Sequence, residues 1–233
     1  MQINKSLGFA VIVLFTIFFS GCNSFKNSKD SVLWPTLSPL ALDPIIEAQI
    51  DEMLPKLSLK QKVGQVIQGD SGSITPEEVK EYRLGSVLSG GNSAPGPLPY
   101  ADTNMWLDMA DKYFNASIDD EDVEIAIPII WGIDAVHGHA NLKGAIVFPH
   151  NIGLGAMNNP DLIEKIASIT AHELTVSGHD WTFAPTLAVP KDLRWGRSYE
   201  GFSENPDIIE SYGGRIVIGL QGEFGADDFR SGE

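Results

Sequence analysis

The stretch W-G-I-D-A-V-H-G-H-A-N-L-K-G-A-I-V-F-P-H-N-I-G-L-G-A, Trp131 to Ala156, decides how this chain is read. Ile127-Pro128-Ile129-Ile130-Trp131 predicts a short buried strand, and it stops abruptly in a segment dense in Asp, His, Asn and Gly. In parallel α/β architectures ligands gather at the carboxyl ends of strands, which puts Asp134, His137 and His139 on the reactive face of a barrel or open sheet. The glycines at 132, 138, 144, 153 and 155 suit a loop that folds tightly around a ligand. Plainer roles exist for each polar residue. An aspartate at a strand end can simply accept backbone N–H groups. His137-x-His139 on a strand would aim both imidazoles at one face, as a metal site requires, but the intervening Gly138 predicts a turn. His150, after Phe148-Pro149, reads as a hydrogen-bonded loop residue.

Outward from this stretch the same unit recurs. Upstream, Asp43-Pro44 predicts a helix start with Ile46, Ile50, Met53 and Leu54 as an apolar stripe, and Ser58-Leu59-Lys60-Gln61 is a capping box leading into Val63, Val66 and Ile67. Thr75-Pro76-Glu77-Glu78 opens another helix, Gly85 to Leu88 reads as a strand running into Ser89-Gly90-Gly91-Asn92, and Met105 to Phe114 falls in a further helix. Downstream, Asn159-Pro160-Asp161 begins a helix whose buried face is Ile163, Ile166, Ala167, Thr170 and Leu174, with Gly178 as its stop. Trp181 to Pro185 is the next strand, and Asn205-Pro206-Asp207 starts the last capped helix. Strand, polar loop, capped helix: the spacing predicts βα modules of a (β/α)8 barrel, four or five units of the eight.

A second constellation lies in Lys191-Asp192-Leu193-Arg194-Trp195-Gly196-Arg197-Ser198-Tyr199-Glu200. Two arginines flank Trp195-Gly196 with acids nearby, so at least one guanidinium is expected in a carboxylate fork while the other faces the cavity. A loop stapled by ion pairs over a packed Trp195 is the alternative. Sugars carry paired hydroxyls that Asp and Arg bind bidentately and apolar faces that Trp covers, so Asp134, Arg194, Arg197 and the tryptophans would make a pyranose site.

The chain has 233 residues, 43% hydrophobic and 20% charged, enough to bury a sizeable core. Its net charge of −15 makes nucleic acid a poor partner, and solubility alone explains the acidity. Lys5 followed by the apolar run Phe9 to Phe19 reads as a signal segment too short to span a bilayer comfortably. Ser20-Gly21-Cys22 resembles a bacterial lipoprotein cleavage site with Cys22 as the lipidated residue, although Phe19 departs from the preferred Leu; ordinary secretion is the alternative. Cys22 is the only cysteine, so no intrachain disulfide can form. Residues 1–22 are therefore read as an address, 23–39 as a flexible tether, and 40–233 as the folded domain.

Gly132 to His139, Phe148 to Ala156, Phe183-Ala184-Pro185 and Arg194 to Glu200 together resemble glycoside hydrolase family 3, most of all its exo-acting β-glucan glucohydrolases and β-glucosidases. The resemblance implies a retaining mechanism on a (β/α)8 domain, no cofactor, and terminal β-glucosyl residues as substrate. It implies that Asp134 and Arg197 bind the terminal glucose, with Arg194, His137, Glu200 and Trp195 as weaker candidates and Glu200 bracing the loop. Relatives from plants bridge this loop with a disulfide where Pro190 and Ser198 stand here, so the loop must be held otherwise. By the same resemblance the nucleophile Asp and the acid/base Glu lie downstream of Glu233, and a retaining glycosidase needs both carboxylates about 5 Å apart across the scissile bond. The expectation is a fragment with the identity of a glucosidase and without its chemistry. Two other readings stand beside it: a metal-dependent barrel hydrolase using His137 and His139, and a non-catalytic glycan-binding envelope lipoprotein.

Overall fold

A computed structural model describes residues 42–223. The signal segment, Cys22 and the tether lie outside the described residues. Of those described, residues 42–47 belong to a unit assigned as Met1–Glu47 and the rest to the unit Ala48–Glu233, which holds the sheet. None of the described helices is long and apolar enough to cross a membrane.

Four strands form one parallel sheet in chain order: β1 (Gln68–Asp70), β2 (Ser86–Ser89), β3 (Ile130–Ile133) and β4 (Trp181–Thr182). Before β1 come α1 (Pro44–Met53) and α2 (Leu59–Gln65). Between the strands run α3 (Pro76–Tyr82), α4 (Thr103–Ser117), α5 (Asn151–Met157) and α6 (Pro160–Thr175), and α7 (Pro206–Gln221) follows β4. Every strand-to-strand connection carries a helix, the βα alternation expected of the barrel class.

The helix starts lie where local chemistry put them. Ser58 and Thr75 each close a reciprocal capping box, Ser58 with Gln61 and Thr75 with Glu78. Asn159 accepts from Leu162 N and Asn205 from Asp207 N, each ahead of a proline at the first helical position, where its missing N–H costs nothing. Ile163, Ala167, Thr170 and Leu174 are buried as the periodicity required, and Ile166 is partly buried. Three expectations fail, the simplest being that the strand read as Trp181 to Pro185 stops at Thr182. Ile50, Met53 and Leu54 remain exposed, so the stripe on α1 faces no core among the described residues. Strand β3 begins at Ile130, not Ile127, because its ladder is set by pairing: Val87 opposes Trp131, and Trp131 N donates to Asp180 Oδ2 at 2.8 Å.

That shift positions the site. With β3 ending at Ile133, Asp134 is the first residue beyond it, and its N–H reaches Ser89 O at 3.2 Å. Two apolar clusters support the framework. One packs Val79, Val87, Trp106, Trp131 and Ile133 between the sheet and α3–α4. The other packs Leu154, Ile163, Phe202, Tyr212 and Ile216 among α5, α6 and α7. Gly219 lets α7 lie against α6 closely, since a Cβ there would stand 2.3 Å from Glu164 O.

Candidate functional site

The carboxyl ends of the first three strands are stitched by short polar contacts. Asp70 Oδ1, at the end of β1, accepts from Gly72 N at 2.7 Å and from Ser93 Oγ at 3.0 Å, which ties the loop after β1 to the loop after β2. Beneath it Ser71 Oγ and Ser89 Oγ are 2.9 Å apart, and Trp131 Nε1 donates to Ser89 Oγ at 3.1 Å. Sequence reading missed all of this. β1 is too short to show a period of two, and it follows α2 without a break in hydrophobicity; the one available signal was Asp70-Ser71-Gly72, whose aspartate folds back on its own backbone as an Asx turn. Asp134 carries the exposed carboxylate at this end of the sheet and makes no side-chain hydrogen bond among the described residues.

From Asp134 the chain enters the loop whose fate was hardest to foresee. Gly138 has φ +99°, and a Cβ on it would come within 2.2 Å of Ile146 O, so only glycine turns the chain here. The turn separates the two histidines. His137 Nδ1 lies 2.8 Å from Phe148 O, which can only accept, so Nδ1 carries the proton. Its ring stacks 4.3 Å from His150, and His150 meets Tyr199 edge-on at 4.5 Å. His150 is the hydrogen-bonded residue expected of it, and specifically the N-cap of α5, its Nδ1 accepting from Asn151 N at 3.3 Å. Burial, then the neighbouring His137, hold its pKa below the ordinary histidine value.

His139 goes the other way. It is fully buried, 5.3 Å from the Trp106 ring and 5.2 Å from His179, and neither of its nitrogens has a partner among the described residues. Burial pushes its pKa down to about 4, and burial followed by His139 pushes His179 down to about 3. Ser177 Oγ directs its proton to Glu173 O and Leu174 O, so His179 Nδ1 donates to that oxygen at 3.0 Å and His179 is neutral with Nε2 bare. The H-x-H metal reading is thereby corrected: Gly138 sends the two imidazoles into separate clusters, and among the described residues no three His, Cys, Asp or Glu side chains converge as a metal site needs.

The arginine loop also departs from expectation, because both guanidiniums, not one, sit in carboxylate forks. Arg194 is bound through Nε and Nη2 by Asp192, on a side chain 90% exposed. Arg197 donates from Nε to Glu200 Oε1 at 2.8 Å and from Nη2 to Glu200 Oε2 at 2.6 Å. The partners differ in setting: the Arg197 side chain is 65% exposed and that of Glu200 only 12%. The Glu200 fork chiefly, and the charge of Asp134 after it, raise the Arg197 pKa. The loops of the two residues meet through rings: His137, three residues past Asp134, stacks on His150, which meets Tyr199 between Arg197 and Glu200. Glu200 is correspondingly held below the usual carboxylate range by Arg197. Where a disulfide could have closed the loop, Ser198 Oγ donates to Trp195 O at 2.6 Å and Pro190 packs against Gly201. Trp195 is 39% exposed, so it does not underlie the loop as a buried plug.

Residues 58–228 match the family model described as the glycosyl hydrolase family 3 N terminal domain. The chain is 33% identical over 189 residues to the lysosomal beta glucosidase of Dictyostelium discoideum, covering 74% of this chain and 22% of that protein. Against the periplasmic beta-glucosidase of Salmonella typhimurium it is 27% identical over 198 residues, 83% of this chain and 23% of that one. Among solved structures, the exo-1,3/1,4-beta-glucanase of a Pseudoalteromonas species superposes with a TM-score of 0.77 at 49% identity, over 82% of this chain and 24% of that chain. The chain thus spans about a quarter of the length of these relatives.

Proposed function

The chain belongs to glycosyl hydrolase family 3, and on that premise we propose that it supplies the glucose-binding wall of an exported, retaining β-glucoside hydrolase. The full-length protein releases terminal non-reducing β-D-glucosyl residues from β-glucans or β-glucosides in carbohydrate catabolism. The observation that carries this reading is the run of ring contacts from His137 through His150 to Tyr199, which joins the loop that begins at the exposed Asp134 to the loop in which Glu200 holds the Arg197 guanidinium in plane. Asp134 accepts from adjacent sugar hydroxyls. Arg197 has its Nε and Nη2 fixed by Glu200, and its Nη1, which bonds to nothing among the described residues, donates to another hydroxyl. Trp195 covers an apolar sugar face, while His137 shapes the floor beneath Tyr199. Arg194, tied to Asp192 and turned to solvent, contributes charge rather than contact. The nucleophile and the acid/base are assigned, through the family, to the part of the relatives this chain does not span.

The relatives named for the periplasm and the lysosome support export, and Lys5, the apolar run and Ser20-Gly21-Cys22 support a lipid anchor on Cys22. One acyl chain anchors marginally, so durable attachment takes more than one. The test of function is hydrolysis of aryl β-glucosides by the full-length protein, with the first-formed anomer read by NMR. Release of β-glucose supports the reading; inversion, or no release from any β-glucoside, overturns it. Cys22→Ala should move the protein out of the membrane fraction, and a wild-type protein found wholly soluble removes the anchor.

A further inference from the structure

The weakest-supported part of the glucose wall is also its most exposed. Arg197 and Glu200 lie on a loop of turns and bends that ends in a single 3-10 turn, Ser198–Glu200, outside any strand or α-helix. A fork between two side chains fixes their mutual geometry but not where the pair stands. Something must fix the backbone of Glu200.

Asn151 does so. Its side chain is entirely buried at the first position of α5, and Nδ2 donates to Glu200 O at 2.7 Å across 49 residues of sequence. Because a carbonyl can only accept, this contact also settles the amide orientation, leaving Oδ1 buried with no partner among the described residues. A buried amide that leaves one of its atoms unsatisfied destabilises the fold, so this position is unfavourable unless the single bond it makes is needed. A second contact locks the same two segments: Gly155, one turn further on α5, lies so close to Phe202 that a Cβ there would come 1.6 Å from Phe202 O. α5 therefore grips the loop on both sides of Gly201.

We propose that Asn151 is a positioning residue for substrate binding, acting through the Glu200 carbonyl and the Glu200 fork to set where Arg197 presents its guanidinium. This rests on the proposed function above, in that Arg197 must contact the sugar. Asn151 itself touches no substrate. Its effect must pass through Arg197: remove the guanidinium, and the position of Glu200 ceases to matter to the sugar.

The experiment is a double-mutant cycle in the full-length protein, with kcat and KM measured on an aryl β-glucoside for wild type, Asn151→Ala, Arg197→Ala and the double variant. Asn151→Ala is expected to lower kcat/KM roughly tenfold in the wild-type background, where a displacement of the order of 1 Å can cost as much as a hundredfold. It is expected to lower it less than twofold in the Arg197→Ala background. Equal losses in both backgrounds, or no loss in the first, overturn the proposal. If Arg197→Ala is itself without effect, the sugar-binding role of Arg197 fails, and this inference with it; if Arg197→Ala is damaging and the two losses simply add, only this inference fails. Should Asn151→Ala not fold, Asn151→Asp keeps the volume and removes the donor, and the same cycle applies. If neither variant folds, Asn151 belongs to folding and the proposal is overturned.

Discussion

His137 and His139 stand two residues apart and live in opposite surroundings. The region around His137 is a ledge: an imidazole tied to Phe148 O, a second from His150 stacked on it, the ring of Tyr199 above, and the exposed Arg197–Glu200 fork beside them. The region around His139 is closed from solvent, an aromatic interior of Trp106, Trp131 and His179 in which three imidazole nitrogens find no partner among the described residues. One region keeps its charges in solvent and its geometry in loops; the other keeps its rings neutral and its geometry in packing. A two-residue spacing therefore says nothing about shared chemistry when the residue between is at positive φ.

Gly138 is the pivot between the two regions, and changing it should have the largest effect. Gly138→Ala forces a side chain into a φ of +99° with its Cβ 2.2 Å from Ile146 O, and should cost roughly 3 kcal/mol or more, seen as a large fall in thermal midpoint or in soluble yield of the full-length protein. A variant as stable as wild type would mean that the turn can be made another way.

On the ledge side, Asp134→Asn keeps the shape but loses the charge that strengthens two hydroxyl contacts. At roughly 1.5 kcal/mol or more for each such bond, kcat/KM should fall about a hundredfold. Arg197→Lys should act similarly, because an ammonium cannot reproduce the planar fork with Glu200. Thermal midpoints should barely move, since both side chains are exposed. Near-normal turnover in Asp134→Asn would remove it from the sugar site.

The buried side answers to pH. His139 and His179 have folded-state pKa values below the unfolded value of about 6.5, so the unfolded chain binds protons that the folded chain refuses. Their effect on stability is therefore absent above pH about 6.5 and grows as pH falls toward 4, a destabilisation reaching up to about 3 kcal/mol for His139. Removing the imidazole in His139→Leu should flatten this acid limb while leaving stability at pH 7 unchanged or raised. Parallel pH–stability curves for variant and wild type would contradict the buried, neutral assignment.

The smallest effect belongs to His137→Ala. It removes one hydrogen bond to Phe148 O and a ring stacked on His150, worth about 1 kcal/mol of stability, with a loss in kcat/KM smaller than that of Asp134→Asn. A loss equal to Asp134→Asn would promote His137 from floor to direct sugar contact.

Much of the scaffold was legible in the residues because it is written locally. Capping boxes at Ser58 and Thr75, and Asn-Pro-Asp at 159–161 and 205–207, satisfy backbone donors within one turn, so no distant partner is needed to predict them. The parallel βα alternation followed from the same signals. Asp134 and the arginine loop stood out in the sequence because charged residues between apolar runs do so in any arrangement; the sugar contacts assigned to them are a proposal.

The features that escaped sequence reading have a common cause: contacts between residues far apart in sequence, whose energies no local pattern encodes. Pairing with β2 moved β3 to Ile130–Ile133 and so set Asp134 at its end. Asn151 reached Glu200 across 49 residues, and Gly155 met Phe202, giving the arginine loop its shelf. His139 became a buried neutral ring because Trp106 and His179, from α4 and from the approach to β4, closed over it. The residues themselves set which groups were available and which segments would be helices; only the packing of those segments set which groups would meet, because burial and desolvation are properties of the assembled fold.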